Sequence, residues 1–256
     1  MIHPTAIIDP KARIGSQVEI GPYSIVGPDV EIGDGSWIGP HVVVKGPTVI
    51  GRNNKIFQFA SVGEDCQDKK YKGEPTRLVI GDNNIIRESV TIHRGTVQDN
   101  SLTQIGNNNL LMAYVHVAHD CMVGNNVVLA NNSTLAGHVH VGDNVILGGF
   151  TGVHQFCHIG AHAFAAVSSV IVKDVPPYLM VAGHNAEPHG LNTEGLRRRG
   201  FSAETIAQLR RAYKVIYRQG LTVQAALPLL EDMVGECAEV QAFVDFLKAS
   251  TRGIIR

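Results

Sequence analysis

An aliphatic residue recurs at every sixth position over most of this chain. From Ile2 the series runs unbroken to Val62, and all eleven of its members are Ile or Val. The same phase returns at Ile80, and after a slip of one residue a second series runs from Ile105 to Ile171. A helix repeats every 3.6 residues and a half-buried strand every two, so neither produces a period of six. The pattern predicts short strands separated by turns and stacked into a parallel β-solenoid.

A second inward position is predicted four residues after each aliphatic one. In the second series it holds mainly small residues, with Asn109 as the exception. Gly often follows the aliphatic residue, and Asn clusters mark the turns, where both residue types tolerate positive φ. Two segments interrupt the repeat: residues 64–79, half of which are charged, and residues 93–104, which cause the phase slip. Long loops on a rigid scaffold tend to carry function, although a tolerated insertion remains the alternative.

The repeat ends near Lys173, and residues 1–175 are predicted to form the solenoid. Residues 190–256 are predicted to form a C-terminal helical domain, in which Ser202 and Thr222 cap two helices and a third runs from about Glu239 to Ala249. Residues 196–218 hold seven Lys or Arg against one Glu. Such a charge excess suits a phosphate or an acidic partner, or only a solvated helix face.

Composition excludes several classes of protein. Lys and Arg number 22 and Asp and Glu number 23, so the chain lacks the positive charge of a non-specific nucleic-acid binder. No apolar run is long enough for a membrane span, and the N-terminus lacks the features of a secretory signal. The four cysteines follow no metal or disulfide spacing. These features predict a protein of the reducing cytoplasm without stable membrane insertion.

Three hexads per coil would place residues 18 apart on adjacent coils, about 4.8 Å from each other. His119 would then lie beneath Gly137, and Asp120 beneath His138. A histidine beside a carboxylate can act as a general base. A glycine N–H on the next coil could stabilise a developing oxyanion. Direct acyl transfer requires this pairing. No covalent nucleophile is apparent, because Cys121 falls in the inward position and is interpreted as a core residue.

Zinc is a competing use for the twelve histidines. His140 and His158 are 18 apart and should stack, but a catalytic zinc site needs three protein ligands. No third histidine joins them within one chain, although a partner chain could supply one. A zinc carbonic anhydrase therefore remains an alternative, as does a non-catalytic scaffold in which His119 is dispensable.

The hexads resemble those of the hexapeptide-repeat acyltransferases, a resemblance that implies a left-handed parallel β-helix. Left-handed crossovers depart from the usual rule, so the handedness rests on the resemblance alone. Across its whole length the chain is similar to the UDP-N-acetylglucosamine 3-O-acyltransferase family. The similarity is carried, in this order, by residues 67–71 (QDKKY), 88–96 (ESVTIHRGT), 118–121 (AHDC), 135–139 (LAGHV), 153–157 (VHQFC), 192–200 (NTEGLRRRG) and 251–253 (TRG).

The resemblance implies transfer of a 3-hydroxyacyl group from acyl carrier protein to the sugar 3-hydroxyl, the first step of lipid A synthesis. His119 would be the base, Asp120 its support and the Gly137 N–H the oxyanion donor. Asp68 and Lys70 would line the cleft near the acyl and sugar groups, with Asp68 contacting the acyl 3-hydroxyl. The remaining substrate contacts implied are Gln67, His93, His116, His138, His154 and Gln155 around the sugar, diphosphate and acyl chain, and Asn192, Glu194, Arg198 and Arg199 at the nucleotide end.

The resemblance also implies a homotrimer with active sites between subunits, and it assigns the basic helices to binding acidic acyl carrier protein and the diphosphate. No metal or organic cofactor is expected, because the thioester is already activated. Val167 occupies the position that sets acyl length, and its side chain would shorten the groove. Lys69 stands where an aliphatic residue is expected. The related N-acyltransferases carry an extra N-terminal domain, for which hexads beginning at Ile2 leave no room.

Overall fold

The computed structural model describes all 256 residues of the chain. Residues 7–182 wind through short strands that form three parallel sheets, called here faces 1, 2 and 3. Three strands make one coil, and a strand pairs with the strand three places on, except that β24 pairs with β26 at the end of the third sheet. In coils without insertions the paired residues are 18 apart, as for Val117 and Leu135. The predicted left-handed β-helix with a C-terminal helical region is confirmed.

The strands follow the hexads closely. Face 1 consists of β1 (Ile7–Ile8), β4 (Ile25–Val26), β7 (Val43–Val44), β10 (Ser61–Glu64), β13 (Thr91–His93), β16 (His116–Val117), β19 (Thr134–Leu135), β22 (Gly152–Val153) and β25 (Val170–Ile171). Face 2 consists of β2 (Arg13–Ile14), β5 (Val30–Ile32), β8 (Thr48–Ile50), β11 (Arg77–Ile80), β14 (Leu102–Ile105), β17 (Met122–Val123), β20 (His140–Val141) and β23 (His158–Ile159). Face 3 consists of β3 (Glu19–Ile20), β6 (Trp37–Ile38), β9 (Lys55–Ile56), β12 (Ile85–Ile86), β15 (Leu110–Leu111), β18 (Val128–Leu129), β21 (Ile146–Leu147), β24 (Phe164–Ala165), β26 (Leu179–Ala182) and the antiparallel β27 (Glu187–Leu191).

The interior of the prism is the hydrophobic core. The sixth-position aliphatic side chains point inward, and Ile38, Ile56 and Leu111 are fully buried. Each such side chain contributes about 1.5–3 kcal/mol to stability, so the repeated column dominates the folding energy. The second inward position is also buried, as at Val115 and Cys121. The corners between faces use residues with positive φ, among them Asp120 and His138.

Several asparagines lie inside the prism, so the sequence interpretation that placed the Asn clusters in turns is partly wrong. Asn83 does lie at a corner with φ of 58°, but Asn54, Asn84 and Asn109 are buried in the second inward position. Their amides form a ladder: Asn84 Nδ2 donates to Asn54 Oδ1 at 3.0 Å, and the Asn109 N–H donates to Asn84 Oδ1 at 2.9 Å. The ladder runs along the corner between faces 2 and 3, where it satisfies backbone N–H and carbonyl groups of adjacent coils.

The helices lie close to their predicted positions. They are α1 (Thr193–Arg198), α2 (Ala203–Tyr217), α3 (Val223–Val234) and α4 (Gln241–Ala249), with a 3₁₀ turn at Ala238–Val240. Ser202 and Thr222 cap α2 and α3 by accepting from Thr205 N and Ala225 N, as predicted. No helix combines the length and apolarity that a membrane crossing requires.

Asp174 joins the two parts of the chain. Its buried carboxylate accepts hydrogen bonds from Ser250 Oγ at 2.6 Å and from the His158 N–H at 2.9 Å. The Asp174 carbonyl accepts from the Ile255 N–H at 2.9 Å. The C-terminal tail is therefore fixed to the last coils of the β-helix.

Replacing Asn84 with alanine should destabilise the β-helix. The change leaves the Asn109 N–H and the Gly106 carbonyl without the partners they have in the structure. Each orphaned group costs about 1–3 kcal/mol, so the free energy of unfolding should fall by about 2–6 kcal/mol in denaturant titrations at fixed protein concentration. Asn83→Gly is the matched control, because Asn83 is an exposed corner residue with positive φ. Equal stability of the two variants would contradict the role of the ladder.

Candidate active site

One corner of the prism, between faces 1 and 2, carries most of the predicted site. We call this corner the catalytic corner, and five consecutive coils contribute residues to the site there. From the first coil to the fifth they contribute loop 65–76, loop 94–101, His119 with Asp120, Gly137 with His138, and Gln155 with Phe156. Both insertions therefore leave the solenoid at the corner where the predicted catalytic residues lie.

His119 and Asp120 form a hydrogen-bonded pair. His119 Nδ1 lies 2.9 Å from Asp120 Oδ2, which leaves His119 Nε2 without a partner in the chain. The Asp120 side chain is 1% exposed and that of His119 is 16% exposed. Burial alone would raise the pKa of Asp120, but hydrogen bonds from His119 and Thr96 outweigh it and lower that pKa below its usual value. Asp120 is thus an ionised carboxylate that orients the imidazole of His119.

Gly137 lies directly against the His119 ring, as the 18-residue arithmetic predicts. A Cβ at Gly137 would lie 2.5 Å from His119 Cε1 and 2.7 Å from His119 Nε2. Any side chain at this position would therefore displace the imidazole. The Gly137 N–H donates no hydrogen bond within the chain. An unhindered donor and an unpaired imidazole nitrogen thus lie side by side on neighbouring coils.

His138 connects the pair to a loop residue that the sequence interpretation missed. His138 Nδ1 lies 3.0 Å from Asp99 Oδ2 and His138 Nε2 lies 3.8 Å from Asp120 Oδ2. Its ring also stacks on Phe156 at 4.4 Å between centroids. Asp99 belongs to loop 94–101, so this loop reaches across the corner to the catalytic pair.

Thr96, from the same loop, was also missed. Its hydroxyl donates to Asp120 Oδ2 at 2.6 Å and its N–H donates to Asp120 Oδ1 at 2.8 Å. The loop that causes the phase slip therefore supplies most of the hydrogen bonds to the buried carboxylate. Counting the hexads around both insertions would have placed the loop at this corner, but not its individual contacts.

His93 and His116 lie on face 1 just before the corner. Their ring centroids are 5.0 Å apart, and His116 Nδ1 lies 2.7 Å from Thr91 Oγ1. His93 is 4% exposed, and its Nδ1 has no partner. Burial, together with the neighbouring His116, lowers the pKa of His93 to about 4. Burial also lowers the pKa of His116. Both are neutral hydrogen-bonding groups at pH 7.

The other predicted residues of the corner are more exposed. Gln67 and Lys70 are exposed on loop 65–76, and Asp68 is half-buried there. His154 and Gln155 are exposed, and His154 Nδ1 lies 3.1 Å from the Gln155 carbonyl. Cys121 is fully buried, and burial raises the pKa of its thiol to about 12, which supports its interpretation as a core residue.

The predicted nucleotide-end residues lie elsewhere. Asn192, Glu194, Arg198 and Arg199 line a cavity of about 670 Å³ on face 3, together with Ile146, Phe164 and Met180. Face 3 is opposite the catalytic corner in a three-sided prism, so one chain does not bring the two groups together. Within this group Arg198 Nε pairs with Glu194 Oε1 at 3.2 Å, and Asn192 Oδ1 caps α1 by accepting from the Gly195 N–H at 3.1 Å. Val167, 68% exposed, follows β24 at the edge between faces 3 and 1.

The histidines do not converge on a metal at His140 and His158. Their rings are stacked 4.4 Å apart and nearly parallel, at 4°, so their nitrogen lone pairs, which lie in the ring planes, do not meet at a point between the rings. His119, Asp120 and His138 place possible ligand atoms within 4.8 Å of one another. In the structure, however, His119 Nδ1 and Asp120 Oδ2 already bond to each other, and His138 Nδ1 bonds to Asp99.

The hexad coil and a paired histidine beside a glycine amide define a hexapeptide-repeat acyltransferase. Residues 29–56 and 102–137 match the family described as bacterial transferase hexapeptide, and residues 174–255 match UDP-N-acetylglucosamine O-acyltransferase, domain 2.

Curated relatives match the full length of the chain. Acyl-[acyl-carrier-protein]–UDP-N-acetylglucosamine O-acyltransferases from Stutzerimonas stutzeri and Thiobacillus denitrificans are 61% and 58% identical, over 100% of this chain and 99% of each relative. The chain belongs to the UDP-N-acetylglucosamine O-acyltransferase family.

Solved structures of the same family also match the chain over its full length. The UDP-N-acetylglucosamine O-acyltransferase of Moraxella catarrhalis matches with a TM-score of 0.97 at 50% identity, over 100% of this chain and 99% of that one. The UDP-N-acetylglucosamine acyltransferase of Francisella novicida matches with a TM-score of 0.98 at 46% identity, over 100% and 94%. The prediction of an acyltransferase is confirmed, and the scaffold alternative is not supported.

Acid should destabilise the protein through His93. In the unfolded chain a histidine binds its proton near pH 6.5, whereas His93 in the folded protein binds it only near pH 4. Between these values the unfolded state holds more protons, so stability falls as pH falls from about 6.5 to about 4. His93→Phe should flatten this fall by up to about 3 kcal/mol in denaturant unfolding measured at several pH values.

His3→Gln is the control, because His3 is exposed at the N-terminal end of the β-helix. Identical pH dependence of the His93→Phe variant and the unmutated protein would show that His93 is not the group responsible.

Proposed function

We propose that this chain transfers an (R)-3-hydroxyacyl group from acyl carrier protein to the 3-hydroxyl of UDP-N-acetylglucosamine, the first step of lipid A biosynthesis. The observation that carries the proposal is the contact between the His119–Asp120 pair and the backbone of Gly137 on the next coil. The relatives named for this reaction match the chain from end to end.

The arrangement supports one-step transfer without a covalent enzyme intermediate. His119 Nε2 removes the proton of the sugar 3-hydroxyl, and the oxygen attacks the thioester carbonyl carbon. The carbonyl oxygen becomes an oxyanion that accepts a hydrogen bond from the Gly137 N–H. When the tetrahedral intermediate collapses, the carbon–sulfur bond breaks and the carrier thiolate takes the proton from His119. Asp120 stabilises the imidazolium between the two proton transfers.

The remaining predicted residues are assigned as substrate contacts around this centre. Asp68 and Lys70 approach from loop 65–76, and the neutral His93 and His116 offer hydrogen bonds on face 1. Val167, at the edge between faces 3 and 1, is assigned to limit acyl length. The reaction needs no metal or organic cofactor, since the thioester supplies an activated acyl group. We place the protein in the cytoplasm, where its four free thiols would stay reduced.

We further propose that the active site forms between subunits of a homotrimer. The cavity lined by Glu194 and Arg199 lies on the face opposite the catalytic corner, so a neighbouring copy must bring the two together. Exposed aromatic residues along the edge between faces 3 and 1, Tyr23, Phe59, Tyr114 and Phe150, are each more than 60% exposed and suit burial against another chain. The basic residues of α2, such as Arg210 and Lys214, are exposed and suit an acidic carrier protein.

Transfer assays with UDP-N-acetylglucosamine and a series of 3-hydroxyacyl carrier proteins test the reaction. The unmutated protein should form the 3-O-acyl product, and His119→Ala should lower kcat/KM about 10²–10⁴-fold because the general base is lost. Its circular dichroism spectrum should be unchanged, because His119 lies on the outer wall. Full activity of folded His119→Ala would contradict the assignment.

Glycine variants give a matched pair for the same assay. Gly137→Ala places a methyl group against the His119 ring and should lower kcat/KM at least 100-fold, on the order expected for losing an oxyanion donor or displacing the base. Gly152→Ala meets no atom within 4 Å and should leave kcat/KM unchanged.

Mixed oligomers test the site between subunits. His119→Ala and Arg199→Ala should each be nearly inactive as homotrimers. Co-expressed, they should recover about a quarter of the unmutated activity, because one site in four then pairs two intact halves. Purified mixtures that have not exchanged subunits serve as the control. No recovery in verified mixed trimers would mean that both residues act within one chain.

A further inference from the structure

Arg94 is a buried arginine to which neither the sequence interpretation nor the mechanism above gives a role. It directly follows β13, and its side chain is only 7% exposed. An almost fully buried guanidinium is costly unless it is paired and hydrogen-bonded. Its partners therefore show which part of the fold needs it.

All side-chain partners of Arg94 lie in loop 65–76 or just before it, in β10. Nη1 donates to the carbonyl of Gly63, and Nη2 forms an ion pair with Asp65. Nη2 also donates to the Tyr71 hydroxyl at 3.2 Å. That hydroxyl in turn lies 3.1 Å from the Glu74 carbonyl. One guanidinium thus connects the beginning of the loop to its second half.

Backbone geometry supports the same closure. β10 and β13 are paired with a register shift between Val62 and Glu64. At the shift Gly63 has φ of 79°, and a Cβ there would lie 2.2 Å from the Lys45 carbonyl oxygen. Only glycine fits this position, from which its carbonyl accepts from Arg94.

Asp68 and Lys70 lie in the short arc between the two anchored points, Asp65 and Tyr71. Within the arc Asp68 Oδ1 accepts from the Lys70 N–H at 2.9 Å, and the Asp68 carbonyl accepts from the Tyr71 N–H at 3.0 Å. No side chain of residues 66–70 forms a hydrogen bond to the β-helix. Its buried residue Cys66 lies near the catalytic corner: burial, with the carboxylates of Asp68 and Asp120 close by, raises the pKa of its thiol.

We propose that Arg94 is a positioning residue for the acyl donor: it closes loop 65–76 around its guanidinium and so fixes Asp68 and Lys70 beside the catalytic corner. The proposal rests on the proposed function, because it assigns the loop to the acyl group of the donor. A residue that only stabilised the fold would affect both substrates equally.

Conservative variants separate these possibilities. Arg94→Lys keeps the charge but loses the planar fork that reaches Gly63, Asp65 and Tyr71 together. Tyr71→Phe removes only a hydroxyl. Arg13→Lys is the matched control, since Arg13 forms an exposed ion pair with Glu31 on the second coil. Circular dichroism and melting temperature establish that each variant is folded at the assay temperature.

Kinetics and proteolysis are measured on the same full-length proteins. Arg94→Lys should raise KM for 3-hydroxyacyl carrier protein about tenfold and Tyr71→Phe about fivefold, in line with lost hydrogen bonds to and from a charged group. KM for UDP-N-acetylglucosamine should stay within about twofold. Trypsin should cleave Arg94→Lys faster at Lys69, Lys70 and Lys72, which lie in the loop, and Arg13→Lys should behave as the unmutated protein.

Faster cleavage with an unchanged KM for the carrier substrate would overturn the proposal, as would equal changes in both KM values or an unchanged rate of cleavage. Failure of the proposed function would look different, because the unmutated protein would then transfer no acyl group from any donor.

Discussion

The 18-residue coil is the constraint on which the rest of the structure depends. Each inward aliphatic side chain must meet its counterpart on the next coil, and backbone hydrogen bonds between parallel strands fix the two at strand spacing. Once this register is set, outward residues are stacked as strictly as inward ones. His119 therefore meets Gly137 because Val117 meets Leu135 on the inside. The packing of the core and the contact between His119 and Gly137 both follow from the same 18-residue repeat.

The insertions use this regularity without disturbing it. Both leave at the catalytic corner, where a coil must turn anyway, and the strands that follow them, β11 and β14, pair residue for residue. Loop 94–101 turns inward to Asp120 and His138, whereas loop 65–76 is closed around Arg94. Two short segments thus place polar side chains around one corner of a rigid prism, which is how loops on stable scaffolds acquire function.

The sequence was sufficient for the coil, the caps of α2 and α3 and the contact of His119 with Gly137, because all of them follow from fixed spacing or local hydrogen bonding. It was not sufficient for Thr96, Asp99 or Arg94. These residues lie where the repeat is interrupted, so no periodic rule relates their positions to the coils they touch. Asn54, Asn84 and Asn109 were grouped with the turn clusters because Asn is typical of turns. All three lie four residues after an aliphatic residue, so the predicted inward position, and not the residue type, was the correct guide to their burial. The separation of the nucleotide-end residues from the corner became visible only once the strands were assigned to faces.

The stacking of Val128, Ile146, Phe164 and Met180 has a consequence for how such a protein can change. Measured along the prism axis, the cavity on face 3 lies one to three coils beyond the coil of His119. That offset is quantised, since the axis is divided into whole strand spacings of about 4.8 Å. Single substitutions can change the shape of the face 3 cavity or of the catalytic corner, but they cannot change the position of one relative to the other along the axis. A change in the axial distance between the face 3 cavity and the catalytic corner would require the gain or loss of an entire coil, so evolution of this distance proceeds in discrete steps.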